Sequence, residues 1–142
     1  LLSCLGTIFT NAGVGDAFAT IFGKIIPQGN VYIGIVAYAV GMVLFTMIMG
    51  NAFAAITVMT VGIGVPFVIS LGANPLYMVS LAMTCGYCGT LLTPMAANFN
   101  IVPGVYLEVK DKYSIIKMQL IPSILMLVFQ IIYMCLMVNK PF

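Results

Sequence analysis

Residues 25–107 carry no charged side chain, and most of them are apolar. A soluble domain has to place charge on its surface somewhere along such a length, whereas a bilayer accepts its absence. One spanning helix takes about 20 apolar residues, so this window holds about four crossings. The pattern predicts apolar helices over 31–49, 52–71 and 75–89, a helix resuming after residue 100 to about Val109 with a bend at Pro103-Gly104, and a long last helix over 113–138 kinked near Pro122. Gly34 and Gly41 lie on the first of these, as small residues that let helices approach closely. The N-terminal part reads differently. Residues 1–12 resemble the end of a membrane helix. In 13–26, Ala17, Phe18, Ile21, Phe22 and Ile25 recur at helical spacing with Asp16 and Thr20 off that face, the pattern of a short interfacial helix. The competing reading makes 1–26 one spanning helix with Asp16 turned inward. Pro27-Gln28-Gly29-Asn30 and Gly72-Ala73-Asn74-Pro75 are turns.

Two polar interruptions sit inside the neutral window: Met49–Ala55, centred on Gly50-Asn51, and Gly89–Asn100, which holds Thr90, Thr93, Pro94, Asn98 and Asn100. Irregular backbone at membrane depth is tolerated only where it meets protein or a water-filled cavity. Between 31 and 71 there is no charge and no room for a solvated turn. The pair of helices there is either two full spans joined at the surface or a re-entrant hairpin with its tip in the membrane, and the missing turn favours the hairpin. Asn51 is a good N-cap for the second half. A buried tip would aim unpaired backbone N–H groups at an anion. In the second break, Pro94 lacks an N–H and disfavours helix at Thr93.

Composition sharpens this picture. The chain is 63% hydrophobic and 6% charged, with mean hydropathy +1.19, the composition of an integral membrane protein. It has no histidine and no arginine, and its only acids are Asp16, Glu108 and Asp111. That removes the usual general base, the commonest metal ligand and the bidentate anion clamp. No catalytic residue and no metal site is expected, and there is no basic face for nucleic acid. Lys110, Lys112 and Lys117 place the one clearly aqueous loop in the cytoplasm, which makes this a multi-pass protein of the inner (cytoplasmic) membrane. No stretch has the build of a signal peptide. The opening Leu1-Leu2-Ser3-Cys4-Leu5, with no initiator methionine, reads as the inside of a longer protein, of which this is the C-terminal part.

Cys85-Gly86-Tyr87-Cys88 is a C-x-x-C, which would suggest thiol redox chemistry in a soluble βαβ setting. Here no nearby charge lowers a thiol pKa, and cysteines in apolar helices more often pack as small hydrophobes. Zinc would require a second ligand pair, which is missing.

The run FTMIMGNAFAAITVM, then GANPL, then CGYCGTLLTPMAANFNIVPG resembles the C-terminal repeat of the ion transporter superfamily, including the divalent anion:sodium symporters. In those symporters a hairpin tip carries Ser-Asn-Thr and a broken helix carries a loop with proline and asparagine. Gly50-Asn51-Ala52 stands at the tip here, and Pro94 and Asn100 match the loop's first proline and its asparagine. Both tip hydroxyls are missing, and Asn98-Phe99 replaces a Pro-Pro pair. The segments GNAFAAI, GYCGTLLTPMAANFNIVP and EVKDKY are similar to a bacterial membrane family, formerly of unknown function, assigned as one subunit of a 5-oxoproline (pyroglutamate) permease.

The resemblance implies an all-α integral membrane protein: one repeat of an inverted-repeat transporter, with a re-entrant hairpin over 31–71, a broken helix over 75–109 and a final transmembrane helix over 113–138. It implies a permease subunit that moves a small organic anion, 5-oxoproline, by alternating access. The expected substrate site is Gly50, Asn51, Ala52, Thr93, Pro94, Asn98 and Asn100. A coupling cation, Na+ or H+, would use Asn51, Thr90 and Thr93. No other cofactor is expected. The partners are the bilayer, the anion and a second permease subunit or repeat, and an oligomer stays open. Two other classes compete: a non-transporting membrane scaffold subunit, and a thiol oxidoreductase using Cys85 and Cys88.

The charge pattern carries a direct test. A single cysteine replacing Lys112 in a cysteine-free background should react with impermeant maleimide in inverted membrane vesicles and not in intact cells. Labelling in intact cells would reverse the orientation.

Overall fold

The computed structural model describes residues 8, 11–25, 30–111 and 113–138, and among these every regular element is helical. Helix α1 is Val14–Ile25, α2 is Val31–Met49, and α3 is Ala52–Ile69, whose second half, Thr60–Ile69, is π-helical. Helix α4 is Pro75–Leu92. A π-helical turn, Ala97–Ile101, leads into the short α5, Val102–Tyr106, and α6 is Ser114–Met137. Helices α2, α3, α4 and α6 are each long and apolar enough to cross a membrane. The expected helix end over residues 1–12 and the turn at 27–30 lie largely outside the described residues.

The helix boundaries follow from local chemistry. Asn30, Asn51 and Asn74 each precede a helix, and each Oδ1 accepts the backbone N–H two residues on, from Tyr32, Phe53 and Leu76 at 3.2, 2.9 and 3.0 Å. This is the N-cap arrangement that satisfies one otherwise orphaned donor. Gly50 closes α2 at φ 70°, a left-handed conformation that costs glycine little, and its N–H donates to the Thr46 carbonyl at 2.7 Å. Gly13, at φ 67°, separates α1 from the turn before it. In α3, Pro66 cannot donate a backbone hydrogen bond, and the segment around it runs in the wider register. Ser70 closes that segment: its N–H donates to the Val65 carbonyl, and its hydroxyl reaches the carbonyls of Val65 and Pro66, both at 2.7 Å. At the start of α6, Asp111 accepts from the Tyr113 N–H at 3.0 Å and from Lys117 Nζ at 2.9 Å. The first bond, then the second, holds its carboxyl below the usual carboxylate range.

Helix α4 packs between α2 and α6, and α1 lies against the π-helical half of α3. The core comprises Ile35, Tyr38, Met42, Met59, Ile63, Cys85 and Met134 with smaller neighbours. Glycines set the closest approaches. A Cβ at Gly34 would lie 2.5 Å from the Phe67 carbonyl oxygen, where α2 meets α3. A Cβ at Gly89 would lie 2.7 Å from the Val43 carbonyl oxygen and 2.8 Å from Thr46 Cβ, and one at Gly86 would lie 2.9 Å from Ala52 Cβ. The glycines on either side of Cys88 therefore seat α4 directly on the α2–α3 hairpin, which is how small residues act in membrane helix packing. The Cys85 thiol donates to Gln130 Oε1 at 3.0 Å, and Met134 and Val138 join the same core as Ala73 and Met78. Most of the remaining surface of α6, including Leu125, Phe129 and Leu136, points away from the protein.

Gly34→Ala and Gly89→Ala should each destabilise the fold by about 1–3 kcal/mol through overpacking against backbone atoms. Gly104→Ala should be nearly neutral, because a Cβ there meets only Ile115 Cδ1 at 3.6 Å. Thermal unfolding in detergent checks the contrast.

Candidate functional site

The hairpin tip and the break after α4 are far apart in sequence and adjacent in the fold. The Thr93 hydroxyl donates to the Met47 carbonyl at 2.8 Å and accepts the Met95 N–H at 3.3 Å, so one buried side chain ties both breaks together. A Cβ at Gly50 would lie 3.1 Å from both Met95 Cβ and the Met95 carbonyl oxygen. Only glycine combines this left-handed turn with so close an approach.

Asn100 organises the second break from below. It is buried, and its Nδ2 donates to the carbonyls of Thr93 at 2.6 Å, Thr90 at 3.1 Å and Leu91 at 3.4 Å. Those carbonyls belong to the end of α4, where the helix cannot satisfy them itself. Its Oδ1 has no hydrogen-bond partner among the described residues.

A cleft of about 390 Å³ opens where the breaks meet, lined by Asn51, Ala52, Thr90, Asn98 and other residues of both breaks. Of the residues expected from sequence, Gly50, Asn51, Ala52, Asn98 and Thr90 line this cleft. The Thr90 hydroxyl is engaged with the Tyr87 carbonyl at 2.7 Å. Thr93 lies in the clasp between the breaks. Pro94 and Asn100 instead line a second cavity of about 550 Å³, with Ile101, Glu108 and Tyr113. Asn51, Thr90 and Thr93, the expected cation ligands, thus stand around the same junction, each with a side-chain oxygen already bonded to a backbone partner.

Among the described residues, no charged side chain lines the cleft. Its polarity comes from amides and from the start of α3, where the first N–H groups of a helix lack intrahelical partners and carry partial positive charge. Three aromatic rings complete the wall. Tyr87 sits between Phe53 and Phe99, with ring centroids 6.3 and 6.0 Å away. Reading the sequence for polar breaks passed over all three. Phe53 and Phe99 each sit beside a break asparagine, and Tyr87 lies inside the C-x-x-C, where the cysteines drew the interest.

Cys85 and Cys88 are buried free thiols, and the Cys85 thiol donates to Gln130. Among the described residues, no three metal-ligating side chains come together.

The chain belongs to the family described as "Protein of unknown function (DUF979)", whose model matches residues 1–139. No curated protein and no solved structure matches it.

Asn100 should behave as a structural residue. Asn100→Leu removes the donor shared by three carbonyls, those of Thr90 and Thr93 in buried bonds and that of Leu91 in a part-buried one, and leaving a buried group unpaired costs about 1–3 kcal/mol. The expected result is a lowered melting temperature in detergent, whereas Asn98→Ala should leave that temperature unchanged.

Proposed function

We propose that this chain is one repeat of an inverted-repeat secondary transporter, in which the junction of the two breaks binds a small organic anion and carries it across the cytoplasmic membrane by alternating access. The observation that carries this reading is the meeting of two interrupted helices, remote in sequence, around one polar cleft. Broken helices whose ends converge inside the bilayer are a recurrent construction of substrate sites in such transporters. An anion here is held by the N–H groups at the start of α3 and by the amides of Asn51 and Asn98, because among the described residues no cationic side chain lines the cleft. Such a site suits a singly charged, amide-bearing acid, and 5-oxoproline, suggested by the sequence resemblance, has that chemistry. A dicarboxylate would call for more positive charge than this half provides. Na+ or H+ is the coupling ion in this reading, and the companion repeat is an upstream segment or a second subunit.

Helices α2 and α3 are each long enough for a full span, so in this reading the tip lies shallowly, close to one membrane surface.

The test is uptake of labelled 5-oxoproline into vesicles containing the full-length protein with its partner, with and without a sodium gradient. Asn51→Ser keeps an N-cap oxygen but removes the amide donor. Asn98→Ala removes an exposed amide. Each should weaken apparent affinity roughly ten- to a hundredfold, as expected when a hydrogen bond to a charged group worth about 1.5–3 kcal/mol is lost. A cysteine at Ala52 should react slowly with impermeant reagents and be protected by substrate. Unchanged affinity in both asparagine variants, in protein that folds normally, would remove the breaks from the site.

A further inference from the structure

We propose that Phe53, Tyr87 and Phe99 are the specificity wall of this cleft, selecting acids that carry a compact ring over open-chain acids of the same size. The proposal rests on the anion-transport reading and adds to it the part of the substrate that the wall recognises.

The three rings come from three separate elements: the first turn of α3, the middle of α4 and the π-helical turn Ala97–Ile101. They form one continuous surface, with Tyr87 edge-on to Phe53 at an interplanar angle of 83° and tilted against Phe99 at 59°. The rings are not spent on core packing. Phe53 and Phe99 remain 38% and 40% exposed, and both line the cleft with Tyr87. Lipid is a poor occupant for this surface. The exposed amides of Asn51 and Asn98 line the same cleft, and amides facing hydrocarbon without partners are costly. A surface that combines half-exposed rings with a few polar groups has the make-up of a small-molecule site. Aromatic faces and edges reward contact with a flat, compact partner, which loses little conformational freedom on binding. An open chain offers less contact and must surrender more rotamers. With the acid group at the start of α3, a ring attached directly to it reaches Phe53, two residues beyond Asn51.

The experiment uses the full-length protein with its partner in vesicles and measures competition against labelled 5-oxoproline by two monoacids of equal carbon count, cyclopentanecarboxylate and hexanoate. The cyclic acid should compete at a concentration about three- to tenfold lower, the range expected from aromatic contacts. Tyr87→Leu should shrink that preference to under about twofold, while Tyr87→Phe, which keeps the ring, should preserve it. Phe99→Leu, at a more exposed position, provides a second reading should Tyr87→Leu fail to fold. Equal competition by the two acids in the unaltered protein, or a preference untouched by both leucine variants, would overturn the ring wall and leave anion transport standing. Absence of 5-oxoproline uptake together with absence of competition by either acid would overturn both.

Discussion

A helix that stops in apolar surroundings leaves carbonyl and N–H groups without water to bond them, and each such group left unpaired costs several kcal/mol in a bilayer. In this protein, carbonyls freed at the two interruptions are bonded by side chains of the second break. Thr93 of one break closes a carbonyl of α2 at the other, and Asn100 gathers three carbonyls at the end of α4. The glycine at the hairpin tip lets the second break sit directly on it. Once these bonds are made, the positions of Asn51, Ala52 and Asn98 around a shared cleft follow, because the loops that carry them have little freedom left.

The glycine contacts below the junction make this arrangement rigid. Gly86 and Gly89 bring α4 against α2 and the start of α3 at near-backbone separation, so the helix that ends at the break is anchored just beneath it. Helix α6 is attached to the far side of α4 through Cys85 and Gln130 and leaves most of its own surface free. The protein thus divides into a tightly seated hairpin and broken helix and an outer helix with a long apolar face.

The neutrality of the cleft has a chemical consequence. Backbone N–H groups and amides are oriented dipoles, and they bind a charged group without placing a permanent ion in the membrane, where an unpaired ion is costly. In the transport reading proposed above, a site of this kind would hold a small, singly charged ligand and release it again, with the aromatic wall contributing shape where charge is missing.

Much of this was legible along the chain. The charge-free window and its length point to helices long and apolar enough to cross a membrane, the asparagines at 30, 51 and 74 stand where N-caps stand, and Gly50 and Pro94 mark the two interruptions. These are local effects, set by hydropathy, proline and glycine geometry and side-chain caps, and they act within a turn or two of the residue concerned. What the sequence could not express was which polar groups would find each other. Asn98 and Asn100 look alike in the string, yet one lines the cleft and the other is used up by three carbonyls. Gly86, Tyr87 and Gly89 read as neighbours of two cysteines, yet two of them seat a helix and the third forms the middle of an aromatic wall. Only the tertiary structure decided these roles, because they depend on contacts beyond a single helical turn, from Asn100–Thr93 at 7 residues' separation to Thr93–Met47 at 46, where packing and hydrogen-bond partners are chosen by the fold as a whole.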